Sequence, residues 1–344
     1  MTLRHPVTIS RTTDSRDARS APLRRPPIPV RLNVMLLTIV VVASVVQLFG
    51  LAVLLRAYGA VALLLVVPIV VLTPTHWGLI HEGIHSQLFA SRRLNETVAR
   101  LLAVALGVPF DAVRFGHLMH HRFTREPYDQ PDLYDGTGPL WRARLVYYAR
   151  LLGGTYASEI VAPLLAFMPT RMASAQIVRA ISAKGPVGEQ VQRHYVNFAT
   201  DPKRRSRTRR DWILTLIVYG AAFRFYGDAW PVLLGVMLLR GVWISLADNL
   251  PHFDVALDEP GRARNFKLPR FWQTITMNHH LHRLHHQHPT LPWTTLPTYA
   301  EQTHERSIGS ESHADMSMPL REPAPYFRAA LRQFRGPTRA MPLK

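Results

Sequence analysis

Leu32–Leu55 reads LNVMLLTIVVVASVVQLFGLAVLL, and Ala57–Ile80 reads AYGAVALLLVVPIVVLTPTHWGLI; Arg56 alone separates these two runs of 24 residues. Neither run carries a charged residue, and His76 is the only group in them that titrates near neutral pH. A helix crosses the hydrocarbon core of a bilayer with about 20 apolar residues. Two uncharged runs of that length, joined almost directly, predict a membrane hairpin with spans at about 33–55 and 57–76. The core of a soluble domain is the weaker reading. The first run is no cleavable signal, because it is longer than the roughly 7–15 apolar residues of such a segment and follows a polar leader.

The flanks set the direction of travel. The leader, 1–31, carries Arg4, Arg11, Arg16, Arg19, Arg24, Arg25 and Arg31, is proline-rich from Pro22 to Pro29, and is expected to be disordered and basic. Lysine and arginine mark the cytoplasmic side of a span, so the first span leaves the cytoplasm and the second returns, placing His81 at the cytoplasmic face. A 12-residue apolar helix at about 97–108 is too short to cross. Leu145–Met168 is apolar but contains Arg150, Glu159 and Pro163. A charge at mid-bilayer is expensive, so this segment is expected to lie in the interface as a helix or hairpin. A second apolar block, 212–247, breaks at Tyr226-Gly227-Asp228 and predicts a second hairpin, 212–226 and 229–247. Within it, Arg224 suits the outer surface by snorkelling and Arg240 suits the protein interior. The fold expected is therefore all-α and integral to the membrane, with four transmembrane helices in two hairpins and a cytoplasmic helical cap. Both termini are expected in the cytoplasm. The domain spans about 32–300, and a polar tail follows at 301–344.

The formal net charge is +18, and Lys203-Arg204-Arg205-Ser206-Arg207-Thr208-Arg209-Arg210 is its densest run. That run directly precedes the apolar block at Trp212, so it suits anionic lipid headgroups better than nucleic acid. The chain has no cysteine. Disulfides, thiolate zinc sites and a built-in iron–sulfur cluster are excluded, and any redox chemistry must draw electrons from a separate partner.

Nine of the 17 histidines fall into four groups near the cytoplasmic ends of the expected spans: His81 and His85; His117, His120 and His121; His252; and His282, His285 and His286. Residues at i, i+3 and i+4 share a helix face, so each group is expected to present its imidazoles to one point. Neutral imidazole suits iron, zinc, copper and nickel. Nine imidazoles exceed what one ion can use, and the number favours two metals. Asp248 and Asn249 lie within one turn of His252 and are candidate ligands, directly or through water. His81-Glu82-Gly83-Ile84-His85 also matches the H-E-x-x-H signature of zinc peptidases, but a three-ligand zinc site leaves the two His-x-x-His-His motifs unexplained. A histidine-rich metal transporter would put ionisable residues within the spans, and few occur there.

The order His-x-x-x-His, His-x-x-His-His, His-x-x-His-His, set between two hairpins, resembles the membrane fatty acid desaturase superfamily over about residues 33–295. Acyl hydroxylases, carotenoid ketolases and hydroxylases, and alkene-forming fatty acid decarboxylases share that superfamily. The resemblance implies a four-span stem, a cytoplasmic cap holding two irons, and O2-dependent attack on an unactivated C–H bond. It implies that His81, His85, His117, His120, His121, His282, His285 and His286 are iron ligands, and that His252 is the extra histidine before the third box. Asp248 stands where some members have an asparagine on a metal-bound water. The third box often reads Asn-x-His-x-x-His-His. Here Asn278-His279-His280 precedes His282, so His279, His280 and His282 compete for the first ligand position, and His282 fits the spacing. Asp129 and Asp132 are placed either to orient ligating histidines or simply in a solvated turn; His280 and His288 are expected beside the ligands or at the surface. The commonest reaction of the superfamily is fatty acyl desaturation. A ferredoxin-, rubredoxin- or cytochrome-type protein would donate the electrons, and a membrane lipid would be the substrate.

Overall fold

The computed structural model describes residues 26–134, 138–181, 185–308 and 320–332. Most of the leader, at 1–25, and much of the tail lie outside the described residues. The first apolar run forms α1 (Val30–Val45), a π-helical turn (Val46–Gly50) and α2 (Leu51–Tyr58) as one continuous rod. At 1.5 Å per residue it is about 43 Å long, more than the roughly 30 Å hydrocarbon core. The rod ends at Gly59, whose φ of 63° and ψ of −147° suit a residue without Cβ. The chain then returns through a 3-10 segment (Gly59–Leu65), α3 (Val66–Val71) and α4 (Thr73–Ile84), and α4 packs along α1.

The next stretch aims the first histidines. α5 (Arg92–Leu106) starts at Ser91, whose hydroxyl accepts from Leu94 N at 3.4 Å, and packs an apolar face with Leu102, Ala103 and Leu106 against α4. A Cβ on Gly83 would stand 2.3 Å from the Ala99 Cβ, so glycine in the first histidine motif is what lets α4 and α5 approach. Buried Asn95 locks the turn after α4: its amide donates to Gly83 O (2.7 Å) and its Oδ1 accepts from Leu88 N (3.0 Å). α6 (Phe110–Phe123) carries the second motif. Arg100 ties α5 to α6 and to the second hairpin, through Asp111 (3.2 Å) and Asp211.

The amphiphilic segment after α6 is broken into short pieces. α7 (Leu140–Ala149) kinks at Leu152 and Gly153 (φ 118°) into α8 (Thr155–Val161), followed by a 3-10 stretch (Ala162–Phe167). The kink lays α8 on the second hairpin, where a Cβ on Gly241 would meet the Tyr156 ring at 2.7 Å. α9 (Thr170–Ala180) and α10 (Gly185–Thr200) pack on each other and lead into α11.

The second hairpin is α11 (Pro202–Tyr226) and α12 (Trp230–Asn249), reversing at Gly227 (φ 56°). α11 starts ten residues before its apolar part, because the Asp201 side chain caps it by accepting from Arg204 N (2.8 Å). The basic run therefore lies on the helix itself and splits by face. Lys203, Arg204, Arg207 and Arg210 are exposed. Arg205 and Arg209 turn inward and donate to the carbonyls of Ala199 (2.8 Å) and Ala166 (2.7 Å).

Both hairpins expose large apolar side chains, among them Val42, Leu64, Ile217 and Leu238. Such an outer surface suits lipid rather than water. Arg240 is buried and joins the hairpins: its guanidinium donates to Gln47 Oε1, Thr73 Oγ1 (3.2 Å) and His76 Nδ1 (2.7 Å). Arg224 is exposed beside the reversal, while Arg56 donates to Phe225 O (2.9 Å) and so ties the two tips.

Beyond α12 the chain closes over the histidine end. β1 (Asn265–Phe266), α13 (Arg270–Ile275), α14 (His282–Gln287) and α15 (Leu296–Ile308) follow in order. Two pieces of the polar tail dock back. β2 (Leu320–Arg321) pairs in parallel with β1, and α16 (Pro323–Arg332) receives the Tyr147 hydroxyl on Ala330 O (2.6 Å).

Candidate metal centre

Each histidine motif sits where a helix ends or a short helix begins. His81 and His85 close α4, His117, His120 and His121 occupy the last turns of α6, His252 follows α12, and His282, His285 and His286 make up half of α14. Their ring nitrogens gather into two groups, each with its atoms within 4.8 Å of one another. Group one is His81, His85, His117, His121 and His285; group two is His120, His252, His282 and His286. All nine histidines singled out from the sequence are in one group or the other. The groups adjoin, with the rings of His121 and His286 stacked at 4.3 Å.

The motifs do not converge on one point each, as their spacing suggested. Both triplets are divided between the groups. The i and i+4 members, His117 with His121 and His282 with His286, stay together, while His120 and His285 cross to the other group. Helical geometry gives the reason. At 100° per residue, i+4 lies about 40° from i, whereas i+3 lies about 60° away on the opposite side. One triplet thus spans two neighbouring centres.

The nitrogen geometry tests whether metal fits. Neighbouring Nε2 atoms are 3.0 Å apart for His85–His117, His117–His121 and His121–His285. In group two they are 3.1 Å for His120–His252, 2.9 Å for His252–His282 and 3.2 Å for His282–His286. With metal–nitrogen bonds of about 2.1 Å, ligands at right angles lie about 3.0 Å apart and tetrahedral ligands about 3.4 Å apart. The spacing matches right angles, and five imidazoles in group one exceed a tetrahedral zinc site.

Hydrogen bonding fixes the tautomers in group two. His252 Nδ1 donates to Arg262 O (2.9 Å), and His120 Nδ1 donates to Asp129 Oδ2 (3.0 Å). The Thr124 hydroxyl spends its proton on His120 O, so His286 Nδ1 is the donor to Thr124 Oγ1 (3.3 Å). Three rings therefore aim bare Nε2 lone pairs at one point. A proton on His120 reconciles one such pair, and the convergence as a whole suits a cation at its centre.

Electrostatics agree. Burial first, then crowding by neighbouring imidazoles, holds His81, His117, His282, His285 and His286 well below the ordinary histidine range. Burial does the same to His85 and His252, each brought to about 3. They are neutral, as metal ligands must be. His120 is the exception. Burial opposes its charge, but Asp129 outweighs burial and raises it; Asp129 in turn, although buried, is held low by His120 and Arg150.

The other candidates scatter. Asp248 lies outside both groups of converging atoms but lines the cavity beside them. The Asn249 amide donates away from them, to Thr155 Oγ1 (3.1 Å) and Ser245 O (2.6 Å). Asp129 touches a group-two ring, whereas Asp132 pairs with Arg125 and accepts from Asp254 N (2.9 Å). His280 is buried, with Nδ1 unpartnered, and outside both groups. His279 instead joins His81 and Glu82 in a third cluster. Glu82, raised by burial to about 8, accepts from Trp293 N (3.3 Å), a buried setting for a residue that a peptidase would need facing water. Sequence reading passed over Thr124 and Arg262. Thr124 lies at i+4 from His120, a spacing that could have found it; Arg262 acts through its backbone carbonyl and leaves no sequence signal.

A cavity of about 630 Å³ reaches one histidine of each group, His117 and His120. It extends between α6, the kinked α7–α8 segment, α9, α10 and the start of α11, along Phe115, Leu165, Ile177 and Phe198.

Two long apolar hairpins and two histidine groups that could hold metal define a helical, membrane-associated class of protein. Residues 57–310 match the fatty acid desaturase family, and the chain belongs to that family. No curated protein matches the chain significantly.

Proposed function

We propose that the protein is an O2-dependent di-iron membrane oxidase that desaturates a fatty acyl chain. The observation that carries this reading is the convergence of nine histidine nitrogens in two adjoining groups, with one cavity touching both. The five-histidine and four-histidine groups would each hold one iron. When bound, iron supplies O2 activation and the one-electron chemistry that imidazoles and carboxylates cannot. The chain's own residues do the rest. Asp129, Arg262 O and Thr124 hold three rings in the tautomer that offers Nε2. The apolar cavity wall keeps water out and lays a hydrocarbon chain alongside His117 and His120.

The same reading takes the two hairpins as four transmembrane spans. The reversals at Gly59 and Gly227 lie at one end, and the histidines at the other with Val30 and Pro202. The exposed half of the basic run on α11 supports a cytoplasmic histidine end, where a separate ferredoxin-, rubredoxin- or cytochrome-type donor would have access. Hydroxylation, ketolation and alkene-forming decarboxylation need the same metal groups and differ in which carbon lies beside them.

Metal analysis of the purified protein, followed by mass spectrometry of lipids from expressing cells, tests the proposal. About two irons per chain and new unsaturated acyl chains are expected. One zinc and no iron overturns it, and iron with unchanged acyl, hydrocarbon and carotenoid profiles overturns the oxidase reading.

A further inference from the structure

The cavity that reaches the histidines is apolar along Phe115, Leu165 and Phe198, but one acidic side chain in its wall is unsatisfied. Glu159, on α8, has its Oε2 buried without a hydrogen-bond partner. The nearby polar groups on α8 are already engaged: Ser158 Oγ donates to Thr155 O (2.7 Å), and Thr155 Oγ1 accepts from Asn249 Nδ2 (3.1 Å). Arg150, in the same wall, is drawn to Asp129 through Nη2 (3.5 Å), while its Nε is buried without a partner. Arg205, also in the wall, is engaged with backbone carbonyls. Burial, reinforced by Asp248 across the cavity, pushes the Glu159 carboxyl well above its ordinary range, so it carries its proton. A buried polar group without a partner is costly, and a protonated carboxyl both donates and accepts.

We propose that Glu159 is a specificity-determining residue that holds an uncharged oxygen of the substrate, a carbonyl or hydroxyl, on the histidine side of the cavity. This rests on the reading of the cavity as the site for a lipid chain. Carrying its proton, Glu159 offers a free carboxylate no charge to pair with, and Arg150 beside it is drawn to Asp129. The substrate it fits is a neutral chain, such as an ester or an alcohol, and not the free fatty acid.

Binding of four tritiated sixteen-carbon probes to the purified, iron-loaded protein in detergent tests this: hexadecane, methyl palmitate, 1-hexadecanol and palmitate. The ester or the alcohol is expected to bind about tenfold or more tighter than hexadecane, the scale set by satisfying one buried polar group. Palmitate is expected to bind more weakly than the ester. Glu159→Leu is expected to erase the advantage of the oxygenated probes without weakening hexadecane, and Glu159→Gln to keep most of it. Unchanged iron content and melting temperature show that the variants fold. Tightest binding by palmitate, or an oxygenated-probe advantage that survives Glu159→Leu, overturns the role of Glu159. Failure of all four probes to bind overturns the lipid-chain reading of the cavity itself.

Discussion

The two histidine groups are built from the same residue type and supported differently. In group two, three of four rings have their Nδ1 protons committed, to a carboxylate, a backbone carbonyl and a hydroxyl. In group one, the Nδ1 atoms of His81 and His121 are buried without a hydrogen bond, that of His81 lying 3.8 Å from Glu82 Oε1. A ring whose outer nitrogen is held has one tautomer and one orientation, and that outer partner also raises its basicity as a ligand. Group two is thus prepared for a cation before one arrives. Group one has more ligands and less preparation, and must settle two of its rings when metal binds. The difference teaches that ligand number and site rigidity are separate quantities here, and each can be tested alone.

The largest effect should come from removing ligands. His285→Ala in group one and His252→Ala in group two are each expected to lower iron from about two to about one per chain and to cut turnover at least about 100-fold. Metal analysis and product formation check both. If either variant keeps both irons, the five-and-four division is wrong. A smaller effect, about 10–100-fold in metal affinity, is expected for Asp129→Ala, which frees His120 Nδ1. It should weaken group two and leave group one alone, so that metal titration turns from one strong and one weaker phase toward two weak phases. Graded chelation of the native protein sharpens the same contrast. Group one should empty first, by about tenfold in chelator concentration, because two of its rings lack an outer partner. Simultaneous loss of both irons would show that the outer hydrogen bonds do not set the order.

Much of this architecture was legible in the sequence, for stated reasons. The first hairpin is visible because two uncharged runs separated by Arg56 suit no solvent but lipid, and the second because its apolar block breaks at Tyr226-Gly227-Asp228; the reversal at Gly59, three residues past Arg56, was not singled out. The nine histidines are visible because helical spacing is a local rule. What was hidden is non-local. The crossing of His120 and His285 depends on where α6 and α14 meet, and no spacing within one motif reveals that a triplet serves two centres. The Arg240 clamp joins Gln47, Thr73 and His76, residues more than 160 positions away, and pairing at that range leaves no pattern in one sequence. The basic run was legible as a charge signal but not as two faces, since the inward turn of Arg205 and Arg209 depends on the carbonyls that α10 and the 3-10 stretch after α8 bring to them.

The finest test of the comparison concerns a single hydroxyl. Thr124 Oγ1 accepts from His286 Nδ1 while its own proton goes to His120 O, so one side chain fixes one ring of group two and steadies the backbone of another. Thr124→Val keeps the shape and removes both bonds. His286 would then be free to change tautomer, as the group-one rings are, while His120 and His252 keep their partners. Each lost bond is worth about 0.5–1.5 kcal/mol, so metal affinity in group two should fall several-fold, less than for Asp129→Ala. Thr124→Ser restores the hydroxyl and should restore the affinity. If valine has no effect while serine weakens binding, packing of the γ-methyl and not the hydrogen bond holds His286. The preparation of group two would then rest on Asp129 and Arg262 alone.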